Sequence, residues 1–177
     1  MAIVTEMHLP GGEPKGERFN YRGMHRYLVT LLTGRAGESL AERGKVLRIL
    51  ETLRTSCRDC QFETYAYCFL PDRLVLIVRG RSDESDLKKF LAEFRAGSSS
   101  AVAAESGPHL WTRKYQERVL RKTERSREVA AEVFRLPVKA GLAATPGAYE
   151  FQGSFVLPSI EVDTAKERTK RVERRER

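Results

Sequence analysis

The sequence predicts an α+β domain: a split βαβ (ferredoxin-like) antiparallel sheet with helices on one face and an extra helix towards the C-terminus. Three observations lead there. Residues 62–69 alternate and are rich in aromatics, the Pro71-Asp72 pair follows as a turn, and residues 73–78 resume as an apolar run, a pattern for an antiparallel hairpin. Apolar residues at helical spacing lie on both sides of that hairpin in sequence, Leu40, Val46, Leu47, Leu50 and Leu53 before it and Leu87, Phe90, Leu91 and Phe94 after it. One further strand-like segment on each outer side completes the order β-α-β-β-α-β.

Taken in order, residues 1–21 are rich in Gly, Pro, Glu and Lys and read as a flexible lead-in. Residues 25–32 read as the first strand. Ser39 with Glu42 three residues later forms a capping-box pattern and opens the first helix. The second helix runs from about Ser82 or Asp83 to Ala96, its phenylalanines on one buried stripe. Gly97-Ser98-Ser99-Ser100 and Ser106-Gly107-Pro108 bracket a segment read as mobile. A strand at 118–121 and a helix at 123–134 follow, with Thr123 as its cap, and an irregular closing segment begins at Tyr149. The domain therefore spans residues 22–156, and residues 157–177 form a charged tail.

With 177 residues the chain suits one domain with tails, and its body of about 130 residues is long enough to bury a sizeable core. No apolar run approaches the ~20 residues of a membrane span, and the N-terminus lacks a signal-type apolar stretch. A soluble, cytoplasmic protein is expected, with no membrane partner and no small-molecule substrate. The formal net charge of +8 points to a polyanion. Half of it, +4, sits in residues 166–177, where mixed signs also suit a solvated helix. Cys57 and Cys60 make a single Cys-x-x-Cys and Cys68 stands alone. A structural zinc site needs four ligands, so these read as small apolar or surface thiols in a reducing compartment.

The stretch Leu70-Pro71-Asp72-Arg73-Leu74-Val75-Leu76-Ile77-Val78 resembles a segment of the REP-associated tyrosine transposases, a branch of the HUH single-tyrosine superfamily, that runs Met-Pro-Asn-His-Val-His-Leu-Leu. Further stretches follow in the family's order. Residues 107–121 are similar to Gly-x-Leu-Trp-Gln-x-x-Phe/Tyr-x-Asp-x-x-Leu-Arg. Leu136-Pro137-Val138-Lys139-Ala140-Gly141-Leu142 resembles Asn-Pro-Val-Arg-Ala-Gly-Leu, and residues 148–154 resemble Asp-Tyr-Pro-x-x-Gly-Ser. The resemblance covers about residues 22–156 and implies the same fold.

It also implies a chemistry whose parts are replaced here. In the family two histidines hold Mg or Mn, and a tyrosine attacks a DNA phosphodiester and joins the new 5′ end. Arg73 and Val75 stand at the histidine positions. A guanidinium has no lone pair for a metal, and a valine has no donor atom at all. Counting back from Pro137 to the family's Tyr-Ile-x-x-Asn-Pro places Glu132 at the tyrosine and Leu136 at the asparagine. No metal cofactor and no catalytic residue is therefore expected, with Tyr115 as the one substitute nucleophile to weigh and a packing role as its other reading.

The resemblance implies DNA, hairpin or single-stranded, as the partner of a degenerate member that binds without cutting. Arg73 would hold a phosphate or simply begin its strand; Arg113, Lys114, Arg118, Arg121, Lys122, Arg125 and Arg127 would add phosphate contacts. Trp111 and Tyr115 would stack on unpaired bases, or be buried, and His109 would stack, bind phosphate or lie idle at the surface. Two other readings stay open: an active nuclease with relocated ligands such as Glu132, Asp72 and His109, and a non-catalytic RNA-binding or protein-interaction module. Monomer and dimer are both compatible with the sequence.

Overall fold

The computed structural model describes residues 19–34 and 40–157. Its elements are β1 (Arg26–Thr33), α1 (Arg43–Asp59), β2 (Phe62–Leu70), β3 (Arg73–Gly80), α2 (Leu87–Ala101), α3 (Ala103–Ser106), β4 (Trp111–Val119), α4 (Ser126–Phe134), α5 (Leu136–Lys139) and β5 (Gln152–Gly153). The five strands form one antiparallel sheet in the order β4-β1-β3-β2-β5. The α+β class and the split βαβ order stand as predicted. Among the described residues no helix is long and apolar enough to cross a membrane.

The sheet is buried on both faces at its centre, which explains the unbroken apolar run Leu74 to Val78 in β3. On one face, Val29 and Leu31 of β1, Leu74 and Leu76 of β3 and Phe69 of β2 meet Ile49 and Leu53 of α1 and Phe90 and Phe94 of α2. On the other, Leu28, Val75, Ile77, Cys68 and Ala66 meet Ala130, Val133 and Phe134 of α4. α4 lies over β2 and β3. Towards β1 and β4 the same face opens: Thr30 and Leu32 are half-buried and Gln116 is exposed.

Several boundaries differ from the sequence reading, each for a local reason. Helix α1 starts at Arg43 with Glu42 at its cap position and no side-chain cap bond; Ser39, the other half of the expected capping box, lies outside the described residues. Leu40 precedes the helix yet is fully buried, whereas Leu47 is exposed. Helix α2 starts at Leu87, not near Ser82, because Asp86 caps it by accepting from the N–H groups of Lys88 and Lys89.

The same helix runs on through Gly97-Ser98-Ser99-Ser100, the stretch read as mobile. Ser98 is buried, donates to the Phe94 carbonyl and accepts from the Trp111 indole, so a polar residue becomes a core element. Strand β4 is longer and earlier than the segment 118–121. α4 starts at Ser126, so Thr123 does not cap it; Arg125 holds the cap position. The closing segment contributes β5, which pairs with β2 and covers its edge. Residues 1–18 of the expected lead-in, and residues 158–177 of the tail, lie outside the described residues, but Tyr21, the last residue of that lead-in, packs on the core.

All three cysteines are free and buried, none at the surface. Cys57 contacts the Thr64 hydroxyl at 3.2 Å and Cys60 donates to Glu93 at 2.9 Å.

Candidate nucleic-acid interface

Strand β3 sets the geometry of the positions where the resemblance implies metal ligands. Cross-strand partners share a face, and Val75 opposes Thr30 of β1 and Cys68 of β2. That places Val75 beneath α4, 1% exposed, in an apolar cluster with Ala130, Val133 and Phe134 of that helix.

Arg73 lies two residues earlier on the same face, at the start of the strand. Its Nε and Nη2 hold the two carboxylate oxygens of Asp72 at 2.9 and 2.7 Å. This bidentate pair, with Arg73 one-fifth exposed, holds the Asp72 carboxyl below its ordinary pKa range. One edge of the guanidinium is thus committed to a neighbouring carboxylate, and a phosphate gripping that edge has to displace Asp72.

Glu132 is exposed on α4 and pairs with Arg135 at 2.6 Å and Lys139 at 3.4 Å. Among the described residues no three His, Cys, Asp or Glu side chains converge to hold a metal ion, the set Glu132, Asp72 and His109 included. The residues at the positions implied for metal binding do not fit a divalent cation. Arg73 repels it and Val75 offers nothing.

Tyr115 opposes Leu31 and packs with the core on the α1 and α2 side, half-buried, with the Arg95 guanidinium 5.6 Å over its ring. Arg73 and Val75 look out on the opposite face of the sheet. A phenol there and a phosphate at Arg73 are separated by the sheet itself. Trp111, expected to stack on bases or be buried, is buried at 6% exposure, its Nε1 donating to Ser98 at 2.8 Å. His109 is exposed in the segment before β4.

The basic residues sort into two groups. Arg118 is half-buried and spends Nη1 on both oxygens of Glu124, at 2.8 and 2.9 Å. Arg113, Lys114, Arg121, Lys122 and Arg125 are exposed on β4 and on its connection to α4, and Arg127 in the first turn of α4. Arg125 reaches Glu128 only at 4.0 Å.

That connection is fastened by a residue the sequence reading did not single out. Arg26 of β1 donates to the Glu124 carbonyl at 2.6 Å, the Ser126 hydroxyl at 3.1 Å and the Arg121 carbonyl at 2.8 Å. Glu124 in turn accepts from the Arg121 backbone N–H at 2.7 Å. Burial pushes the Glu124 carboxyl up, and the Arg121 N–H and Arg118 guanidinium together outweigh it, leaving the pKa lowered. No sequence spacing announces a strand arginine that binds a turn almost a hundred residues later.

No protein-family model and no curated protein sequence matches the chain. Among solved structures, it is similar to a REP-associated tyrosine transposase bound to a REP hairpin, with 19% identity, a TM-score of 0.64 and coverage of 78% of this chain and 81% of that one. A protein assigned as a transposase from Deinococcus radiodurans R1 aligns with 17% identity and a TM-score of 0.46 over 75% of this chain and 99% of that one. At this identity the first likeness shows a shared fold.

Proposed function

We propose that this chain is a transposase-like DNA-binding protein that holds structured DNA, a hairpin or a single strand, without cutting it. The fold it shares with a transposase bound to a hairpin supports DNA as the partner. The observation that carries the non-cutting half is Val75, sealed under α4 at one of the two positions where the resemblance implies a metal ligand, with Arg73 tied to Asp72 at the other. Phosphodiester cleavage needs a nucleophile and something to neutralise the phosphate on the same side of the sheet. Here Tyr115 and Arg73 are on opposite faces, and Glu132 is engaged by two cations.

The test is purified full-length protein with a labelled hairpin library, at low and moderate salt, with and without Mg or Mn, reading bound complex and cleaved product together. Salt-dependent binding with no product under any metal is the expected result. Metal-dependent nicking with a covalent protein–DNA adduct would refute it.

A further inference from the structure

Cations are distributed over the whole fold, but their partners are not. Among the described residues, Arg22, Arg43, Arg48, Arg58, Arg81 and Lys89 pair with carboxylates, as do Arg73, Arg118, Arg135 and Lys139. Arg54 and Lys88 sit over aromatic rings, and Arg26 and Arg95 bind backbone carbonyls. Arg113, Lys114, Lys122 and Arg127 have no such engagement, and all four fall within one stretch that runs through β4, the turn after it and the first turn of α4. Residues 111–127 carry +5, seven cations against two carboxylates, while the other residues up to 165 sum to −1.

We infer that β4, the turn leading to α4 and the first turn of that helix form a phosphate-tracking strip for the base-paired stem of a DNA hairpin, with Arg113, Lys114, Lys122 and Arg127 as its contacts. The inference rests on the DNA-binding reading above and names the part of the ligand recognised. Three features select the stem. First, the strip is long: β4 alone extends roughly 20 Å from Arg113 to Val119 at about 3.3 Å per residue, about six base pairs of axial rise. Second, it lacks stacking platforms: Trp111 is buried and Tyr115 half-buried under Arg95. Unpaired strands are held by exposed rings interleaved with cations, whereas duplex backbone is held by cations and other hydrogen-bond donors with no stacking.

Third, the strip is rigid at the turn, where Arg26 binds two carbonyls and a hydroxyl and Glu124 joins Arg118 to the Arg121 N–H. Lys122 within the turn and Arg127 just beyond it are thereby presented without an ordering cost to the backbone. A peptide strand is a poorer occupant of this edge, because Arg95 already binds the Thr112 and Arg113 carbonyls.

The experiment measures affinity of the full chain for a DNA hairpin, for its stem as a blunt duplex, for its loop as a single strand and for the matching RNA duplex, between 50 and 200 mM salt. The stem is expected to bind within about threefold of the hairpin and the single strand at least tenfold more weakly. Four contacts correspond to a log–log salt slope of about −3.6. R113Q/K114Q/K122Q/R127Q should bring that slope near zero, and the pairs R113Q/K114Q and K122Q/R127Q should each halve it, whereas R43Q/K89Q should leave it unchanged. Thermal melts establish that each variant is folded, and the pairs carry the test if the quadruple variant is not. Preference for the single strand or for RNA, or a slope that the strip variants leave intact, overturns the inference while DNA binding, where seen, stands. Absence of binding to every probe overturns both.

Discussion

Arg118 and Glu124 meet through one guanidinium nitrogen and both carboxylate oxygens, at 2.8 and 2.9 Å, and the pair ties the last turn of the edge strand to the start of α4. The carboxylate also receives the Arg121 N–H, and Arg26 binds the Glu124 carbonyl from the neighbouring strand. Two of the basic residues around this turn are thus spent on its architecture. Presence in a basic segment does not make an arginine a ligand contact, and Arg118 belongs with Arg26 as a fastening.

Glu124→Gln keeps the shape and removes the charge, so it should destabilise the fold by about 1 kcal/mol at neutral pH, a charge-assisted bond discounted for partial exposure. The folded carboxyl is held below its ordinary value of 4.5. Its contribution is therefore complete above that pH and is lost as pH falls through the depressed folded value. Urea melts at pH 7 and near pH 3 should show the gap between wild type and E124Q closing on the acid side. A gap that is constant or that widens in acid would contradict the assignment.

Val75→His places an imidazole where the family resemblance implies one, but under α4 rather than in a site. Its ring would displace Val133 or Phe134 and bury a polar nitrogen without a partner, which costs roughly 2 to 4 kcal/mol. We expect a lower denaturation midpoint and no gain of metal-dependent nicking, alone or with Arg73→His. A double variant that is stable, binds Mn and nicks a hairpin would mean that the α4 face is a site after all.

How much of this could be read beforehand depends on the range of the interaction concerned. The hairpin through Pro71-Asp72 and the stripe Phe90, Leu91, Phe94 are local patterns, and both strands and the buried stripe stand where periodicity puts them, whereas the helix that carries the stripe starts and ends about five residues later. Serines at 98 to 100 read as a loop because composition does not reveal that Ser98 will accept from Trp111 thirteen residues on. That Arg73 and Val75 stand where the resemblance implies histidines is legible in the sequence; the apolar seal over Val75 and the pair of Arg73 with the adjacent Asp72 are not. The fastening by Arg26 was hidden for the same reason, since its partners become neighbours only when β1 pairs with β4.

Burial raises the three thiols, to about 11 for Cys57 and about 12 for Cys60 and Cys68, with the Glu93 carboxylate adding to the effect at Cys60. The thiolate is the reactive species. At pH 8 Cys57 should react with an alkylating reagent on the order of a hundredfold, and Cys60 and Cys68 on the order of a thousandfold, more slowly than a free thiol, and all three should become reactive on unfolding. Mass spectrometry of native and denatured samples reads this directly. Rapid native labelling of Cys57 or Cys60 would revive a redox role for the Cys-x-x-Cys pair.

Gly80 closes β3 at a point where no other side chain fits. A Cβ there would lie 2.1 Å from the Gly23 carbonyl oxygen and 2.8 Å from the Ser85 Cβ. The first is backbone and cannot rotate away. The Gly80 N–H also donates to the His25 carbonyl at 3.0 Å, and the Gly23 N–H to that of Ser85 at 2.8 Å, so three chain segments are laced together within one residue's width. Gly80→Ala must push the 21–25 segment off the sheet, loosening Tyr21 on the core and the Arg22 pair with Asp86, the residue that caps α2. The expected loss is about 2 to 4 kcal/mol, as for an overpacked core site whose neighbour is backbone. Urea denaturation should show it as a lower midpoint with an unchanged slope. Tyr21 reaches β4 through its hydroxyl, which donates to Glu117 at 3.1 Å, but the cations of the strip are not its partners, so at temperatures where the variant remains folded its affinity for a DNA stem should match wild type; a large loss would mean that the 19–25 segment touches the nucleic acid or positions the strip through Glu117.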